Sequence, residues 1–93
     1  MGFRGKYKNK RDQNEPEIVA ALKGVGVAVV SMDQPVDLLC WYGGETHLVE
    51  VKMPDGDFTK TQKKFLENWP GEVVTLRSVE EAIEWAKEVR GKE

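Results

Sequence analysis

Acidic and basic side chains alternate with valine in residues 48–52, whose sequence is LVEVK. Successive side chains of a β-strand point to opposite faces, so a strand here buries Val49 and Val51 on one face. Glu50 and Lys52 then project together from the other face. A carboxylate and an ammonium held side by side, with further carboxylates nearby, can bind a divalent cation and polarise a water molecule. The stretch therefore predicts a strand that carries catalytic groups.

Asp37 is the first candidate for a second carboxylate. It lies near the start of a predicted strand over residues 36–42, and Gly43-Gly44 predicts a hairpin turn into the next strand, residues 46–53. The start of one hairpin strand lies beside the end of the other, so Asp37 is predicted next to Glu50. A strand-end aspartate alone is more often solvent-facing; the hairpin is what favours a ligand. Two carboxylates and a backbone carbonyl suit Mg²⁺ or Mn²⁺.

Glu15 and Gln62 are further candidates that also have simple structural explanations. Glu15 falls in the first turn of a predicted helix, where the helix dipole stabilises an acid in any case. Gln62 completes a capping box with Thr59 at the start of a second helix, and from there it can reach the same site. Both residues are kept as candidates for the acidic site.

The apolar pattern predicts seven elements in the order α-β-β-β-α-β-α. Asn14 is expected to cap the first helix with its side-chain oxygen, in a capping box with Glu17, and Gly24 and Gly26 to end it. The valine-rich run 25–31 predicts a buried first strand. A short fourth strand follows the second helix, and Ser78 with Glu81 opens the last helix. The fold class is α/β, with a mixed four-stranded sheet flanked by helices.

Charge is distributed unevenly along the 93-residue chain, whose net charge is −2. The first eleven residues hold five basic side chains and no acidic one, which leaves a net charge of −7 on the rest. We divide the chain into a basic flexible arm, residues 1–13, and a single domain, residues 14–93. A basic arm on an acidic body indicates a polyanionic partner, although a solubilising tail without a partner is about equally common. The basic residues of the arm are Arg4, Lys6, Lys8, Lys10 and Arg11.

The remaining reactive or aromatic residues favour structural roles. Cys40 is the only cysteine and lies in an apolar run, so we expect a buried side chain in a reducing compartment. His47 shares a face with the two valines of residues 48–52, which favours a structural histidine. Trp41, Trp69 and Trp85 are more typical of a core or a dimer interface than of base stacking. With no apolar run of membrane-spanning length, we expect a soluble cytoplasmic protein.

Together these residues resemble the PD-(D/E)XK nuclease motif, and the element order resembles the core of that superfamily. Asp37 is followed thirteen residues later by Glu50-Val51-Lys52, with Asn14-Glu15 before the first helix and Gln62-Lys63-Lys64-Phe65 before Trp69. This combination, over roughly residues 11–88, is similar to the VRR-NUC (virus-type replication-repair nuclease) family. The chain differs from the family's usual pattern by having Val36 between Pro35 and Asp37.

The resemblance implies a role for each matched position. Asp37 and Glu50 would ligate Mg²⁺, with Mn²⁺ as a substitute, helped by the Val51 carbonyl. Lys52 would orient the attacking water instead of serving as the ion-pair partner of Glu50. Glu15 would complete the acidic site directly or through water, and Gln62 would support the metal or the phosphate. DNA affinity would come from the arm and from Lys60, Lys63 and Lys64.

Three functions follow as hypotheses. The first is a metal-dependent DNA endonuclease that hydrolyses phosphodiester bonds and selects Holliday junctions or other branched DNA. It would act as a homodimer and would not associate with a membrane. The second is a non-catalytic nucleic-acid-binding module that keeps the nuclease fold. The third is a protein-interaction domain in which Glu50 and Lys52 form a surface salt bridge.

Overall fold

The computed structural model describes residues 12–91, which form three helices and four strands. The predicted α-β-β-β-α-β-α order is confirmed. The helices are α1 (Glu15–Gly24), α2 (Lys60–Asn68) and α3 (Val79–Gly91). The strands are β1 (Ala28–Ser31), β2 (Leu38–Tyr42), β3 (Glu45–Val51) and β4 (Val73–Leu76). Residues 1–11 of the predicted arm lie outside the described residues.

The four strands form one mixed sheet in the order β1-β2-β3-β4. The first three strands are antiparallel neighbours, and β4 runs parallel to β3 after the crossover through α2. Gly43 and Gly44 make the β2–β3 turn with φ angles of 62° and 78°, which side chains with a Cβ rarely adopt. The predicted hairpin is confirmed, and with it the register that pairs Leu38 with Val49.

The inner face of the sheet packs on α1 and α3 and forms the core. Leu38, Val49 and Val51 are at most 1 % exposed on this face. The alternation predicted for residues 48–52 is therefore confirmed. The helices contribute fully or nearly fully buried side chains to the same core, namely Ile18, Leu22, Ala82 and Ala86.

The outer face of the sheet carries a patch of exposed apolar side chains at its β1–β2 side. Paired strand residues share a face, so Val30 lies on the outer face with its partner Leu39 and with Trp41. Val30 is 59 % exposed and Trp41 is 56 % exposed. The prediction of a buried first strand was wrong, because β1 is an edge strand whose outer face is uncovered.

The valine-rich run 25–31 is divided between two elements, which also shortens β1. The N–H of Val27 donates to the Leu22 carbonyl (3.0 Å) and that of Gly26 to the Lys23 carbonyl (3.1 Å). Gly26 has a φ angle of 97°, so the segment ends α1 in the Schellman arrangement. The prediction that Gly26 helps to end the first helix is confirmed.

The capping predictions for the three helices had different outcomes. At α2, Thr59 and Gln62 form the full capping box. At α3, the Ser78 hydroxyl accepts from the Glu81 N–H (3.1 Å), while the Glu81 carboxylate accepts from Arg77 N–H (2.7 Å) one residue before the predicted position. At α1, Asn14 is the N-cap residue but its side chain makes no capping hydrogen bond. The predicted Asn14 cap was wrong: its Oδ1 accepts no hydrogen bond, and its Nδ2 donates to the carbonyls of Lys52 and Arg77 instead.

None of the helices within residues 12–91 is long and apolar enough to cross a lipid bilayer.

Candidate functional site

Asp37 and Glu50 lie side by side where β2 begins and β3 ends. The Asp37 N–H donates to Glu50 Oε1 (3.2 Å), and the Val51 N–H donates to Asp37 Oδ2 (2.8 Å). Each carboxylate is therefore held by the backbone of the opposite strand. The predicted meeting of the two carboxylates is confirmed, and the hairpin register is its cause.

Gln62 brings α2 to the same carboxylate. Its side-chain Nε2 donates to Glu50 Oε2 (2.7 Å), while its Oε1 accepts from the Thr59 N–H (2.9 Å). The two ends of one amide thus cap the helix and reach the site. The predicted cap is confirmed, Gln62 also reaches Glu50, and its functional role stays a prediction.

Lys52 lies next to Glu50 on the outer face, with its Nζ 3.7 Å from Glu50 Oε2. The side chains of Lys52 and Glu50 are only 9 % and 4 % exposed. The expectation that Lys52 is not the ion-pair partner of Glu50 was wrong for this conformation, because both side chains project from the same face two residues apart. The hypothesis of a surface salt bridge also fails, since the pair is buried.

The surroundings of Glu50 disfavour its charged form and raise its pKa. The pKa of Glu50 is raised from 4.5 to about 7, mainly by burial and next by the nearby Asp37 carboxylate, which together outweigh the lowering effects of Lys52 and the Asp37 N–H. A glutamate with a pKa of about 7 exchanges protons near neutral pH. A glutamate with a raised pKa beside a second carboxylate is typical of functional sites.

Apolar side chains form a dry wall beside the carboxylates. A narrow cleft next to Glu50 is lined by Pro35, Val36, Phe58, Phe65 and Leu66. The ammonium of Lys52 lies 5.4 Å from the centroid of the Phe58 ring, within the range of a cation–π interaction. Val36, which separates Pro35 from Asp37, is 4 % exposed and belongs to this packing. These apolar side chains shield one side of Glu50 and Lys52 from water.

The donor set of the site fits a hard divalent cation. The N–H and C=O groups of one strand residue point to the same side, so the Val51 carbonyl faces Asp37 as its N–H does. Asp37, Glu50 and Val51 thus offer only oxygen atoms, which Mg²⁺ and Mn²⁺ prefer. A cation here would also relieve the repulsion between the two carboxylates.

Glu15 is buried at the start of α1, with 7 % of its surface exposed. Within residues 12–91, no three His, Cys, Asp or Glu side chains are grouped closely enough to hold one metal ion. Asp37 and Glu50 therefore form a pair, and the participation of Glu15 stays a prediction.

The lysines of α2 form the described part of the predicted DNA-binding surface. Lys60, Lys63 and Lys64 are all exposed. The Lys63 ammonium lies 3.7 Å from an Asp57 carboxylate oxygen, an ion pair that is open to solvent. The predicted contacts from Arg4, Lys6, Lys8, Lys10 and Arg11 fall outside the described residues.

Arg77 was not singled out from the sequence, and Asn14 was singled out without its observed contacts. The Asn14 amide donates to the carbonyls of Lys52 and Arg77, both at 2.9 Å. The Arg77 guanidinium donates to the carbonyls of Met53 (2.9 Å) and Gly56 (2.7 Å), just after β3. A usable signal existed for Arg77, because parallel β3 and β4 end at the same edge of the sheet.

The residues assigned to structure from the sequence have structural contacts. His47 Nε2 contacts the Tyr42 carbonyl (3.1 Å), and its ring meets Trp85 edge-on at 5.0 Å. Cys40 is 1 % exposed, and burial raises the pKa of its thiol to about 11. Trp69 stacks on Phe65 at 5.6 Å, at the end of α2.

The chain matches no protein-family model, no curated protein and no solved structure. The geometry of the carboxylate pair and its neighbours is therefore the basis for a functional assignment.

Proposed function

We propose that the protein is a metal-dependent DNA endonuclease of the PD-(D/E)XK type, similar to the VRR-NUC family. The observation that carries the proposal is the interlocked carboxylate pair, in which Asp37 and Glu50 each accept a backbone N–H from the other strand. Lys52 and Gln62 both contact Glu50, so four groups of the resembled motif meet at one place. A fold-maintaining salt bridge needs neither the second carboxylate nor the glutamine.

The side chains divide the work of phosphodiester hydrolysis. Asp37, Glu50 and the Val51 carbonyl would hold Mg²⁺ or Mn²⁺, which when bound activates water and neutralises phosphate charge. Gln62 fixes the orientation of Glu50. Lys52 supplies a positive charge beside the phosphate, in a partly dry setting where electrostatic stabilisation is strong. The proposed role of Glu15 is to support this site through water.

We further propose that the substrate is branched DNA, such as a Holliday junction, bound by a homodimer. The exposed α2 lysines and the basic arm would contact phosphates. The outer-face patch of Val30 and Trp41 offers an apolar surface for a second copy of the chain, which would bring two sites to one branched substrate.

A cleavage assay tests the enzymatic proposal. Four-way junctions, flaps and linear duplexes are incubated with the protein and Mg²⁺ or Mn²⁺, and with EDTA in its place. We expect metal-dependent cuts that favour branched DNA. Glu50→Gln and Lys52→Met should each lower the cleavage rate by roughly 100-fold or more, since each removes a charge from the reacting groups.

Matched controls separate chemistry from general charge effects. Glu67→Gln on α2 and Lys87→Met on α3 remove the same charges from exposed positions and should leave cleavage unchanged. The alternative function, a non-catalytic nucleic-acid-binding module, predicts metal-independent DNA binding by the wild type and by both site variants, with every substrate uncut. That result would overturn the endonuclease proposal.

A further inference from the structure

Residues 53–57 connect the two elements that meet at Glu50. The strand β3 carries Glu50, and the following segment leads into α2, which carries Gln62. The position of Gln62 relative to Glu50 therefore depends on the path of this segment. Its own turn contains one backbone hydrogen bond, from the Gly56 N–H to the Met53 carbonyl (2.9 Å).

Arg77 supplies the main tertiary anchor of that segment. Its Nη1 donates to the carbonyls of Gly56 (2.7 Å) and Met53 (2.9 Å), with the Pro54 carbonyl at 3.4 Å. The carbonyls on both sides of the turn are thus drawn to one guanidinium nitrogen. A charged donor makes stronger hydrogen bonds than a neutral one, so these contacts define the shape of the turn.

The backbone around Arg77 is held by three hydrogen bonds, two to Arg77 itself and one to the carbonyl of Leu76. Its N–H donates to the Glu81 carboxylate (2.7 Å), and its carbonyl accepts from the Asn14 amide (2.9 Å). The same Asn14 amide donates to the Lys52 carbonyl (2.9 Å), and the Lys52 N–H donates to the Leu76 carbonyl (3.0 Å). The guanidinium therefore extends from a backbone that is already hydrogen-bonded to the end of β3.

We propose that Arg77 is a positioning residue that holds the 53–57 segment so that Gln62 stays bonded to Glu50. The connection runs from Arg77 through the turn to Thr59, which caps α2, and from there to the Gln62 amide. Arg77 needs no contact with substrate for this role. Its consequence for catalysis rests on the proposed function, whereas its structural part does not.

The decisive measurement is the NMR signal of the Gln62 side-chain amide, which reports its bond to Glu50 without any activity. Glu50→Ala gives the reference signal of a Gln62 that has lost its acceptor. In Arg77→Met, which keeps the aliphatic stem, we expect the signal to move toward that reference. Hydrogen exchange at the Gly56 and Gln62 N–H groups should rise about tenfold or more, with α1 and α3 unaffected.

Two comparisons complete the test. Arg90→Met removes an arginine from the exposed end of α3 and should leave the Gln62 signal unchanged. Arg77→Lys keeps the charge but lacks the guanidinium geometry, so it should restore the signal only in part. The proposal is overturned if Arg77→Met retains the wild-type Gln62 signal, or if exchange rises equally in every element.

Activity gives a separate readout. If the wild type cleaves DNA, Arg77→Met should lower kcat by roughly 10- to 100-fold with little change in KM, because a small misplacement of reacting groups is costly. A wild type that cuts no DNA refutes the proposed function, while the Gln62 signal still decides whether Arg77 positions the segment. An unchanged kcat together with a displaced Gln62 would refute the catalytic part alone.

Discussion

Glu50 is contacted by the other three polar side-chain residues of the site. Asp37 and Gln62 donate hydrogen bonds to it from two different elements, and Lys52 provides the opposite charge. Even so, the pKa of Glu50 is raised to about 7, because burial and the Asp37 carboxylate outweigh these contacts. Glu50 is thus well oriented, while its charged form is still disfavoured, and the cation that we propose would stabilise that form.

The raised pKa of Glu50 predicts a pH dependence of stability. Between 4.5 and about 7 the folded protein holds a proton that the unfolded chain releases, so the free energy of unfolding falls as pH rises through this range. The shift sets an upper bound of about 3 kcal/mol on this change in the free energy of unfolding. Denaturant titrations in EDTA, from about pH 5 to about pH 8, measure it.

Glu50→Gln removes this titrating group and should flatten the profile over the same range. Glu67→Gln, an exposed change on α2, should keep the wild-type slope. Parallel profiles for the wild type and Glu50→Gln would show that Glu50 titrates at its ordinary pKa.

At the scale of elements, the site is made where three of them end or begin. Asp37 immediately precedes β2, Glu50 lies near the end of β3 with Lys52 just after it, and Gln62 lies in the first turn of α2. Backbone direction at an element end is sensitive to caps and turns. The capping box of α2 is therefore part of the site as well as of the helix.

Removing the Thr59 cap should weaken both the helix α2 and the site. Thr59→Ala deletes the hydroxyl that accepts from the Gln62 N–H, which costs about 1 kcal/mol of unfolding free energy. Faster hydrogen exchange in the first turn of α2 and a several-fold slower cleavage rate are expected. Thr61→Ala, an exposed threonine two residues later, should change stability by less than about 0.5 kcal/mol. Equal behaviour of the two variants contradicts a role for the cap.

Local patterns were sufficient to predict the elements and the carboxylate pair. The alternation around Glu50 fixed a strand face, and Gly43-Gly44 fixed the register that brings Asp37 alongside. Both signals depend on residues near in sequence. The predicted capping box of Thr59 and Gln62 held for the same reason.

The contacts that were missed join residues far apart in sequence. The Asn14 amide bonds to carbonyls 38 and 63 residues away, and local rules predicted a helix cap instead. The burial of β1 was wrong because apolar content does not reveal whether a strand is at the edge of a sheet. Val30 is exposed there although its sequence neighbourhood is valine-rich.

For the whole molecule, the acidic body opposes the DNA binding that we propose. Residues 12–93 carry a net charge of −7, so a phosphate backbone is repelled except where cations cluster. The exposed lysines of α2 lie on the element that reaches Glu50. Binding through this helix would place the DNA at the carboxylate pair.

Salt dependence tests this arrangement. Replacing Lys60, Lys63 and Lys64 with glutamine should weaken DNA binding and lower the slope of log Kd against log salt concentration by roughly 2–3, or about 0.9 per phosphate contact. The same triple change at Lys23, Lys87 and Arg90, exposed on α1 and α3, should have little effect. Fluorescence anisotropy over a salt series measures both. Similar slopes for the two variants count against binding through α2.

The outer-face patch predicts self-association. Trp41→Ser, in the patch, should shift the protein from dimer to monomer and lower junction cleavage. Trp69→Ser removes an aromatic ring of similar exposure, 43 %, from the end of α2 and should leave the dimer intact. Sedimentation velocity distinguishes the species. A monomeric wild type refutes the dimer.

The Gly43-Gly44 turn has a consequence for the length of the chain between the two carboxylates. Asp37 and Glu50 are thirteen residues apart. Asp37 lies six residues before Gly43, and Glu50 lies six residues after Gly44. Lengthening both strands by one residue preserves their opposition, whereas lengthening one strand alone slides the register and turns partner side chains to opposite faces. With a two-residue turn, the interval between the carboxylates can therefore grow or shrink only by even numbers. The opposition of the two carboxylates is therefore preserved by any even-numbered change in this interval that is shared equally by the two strands.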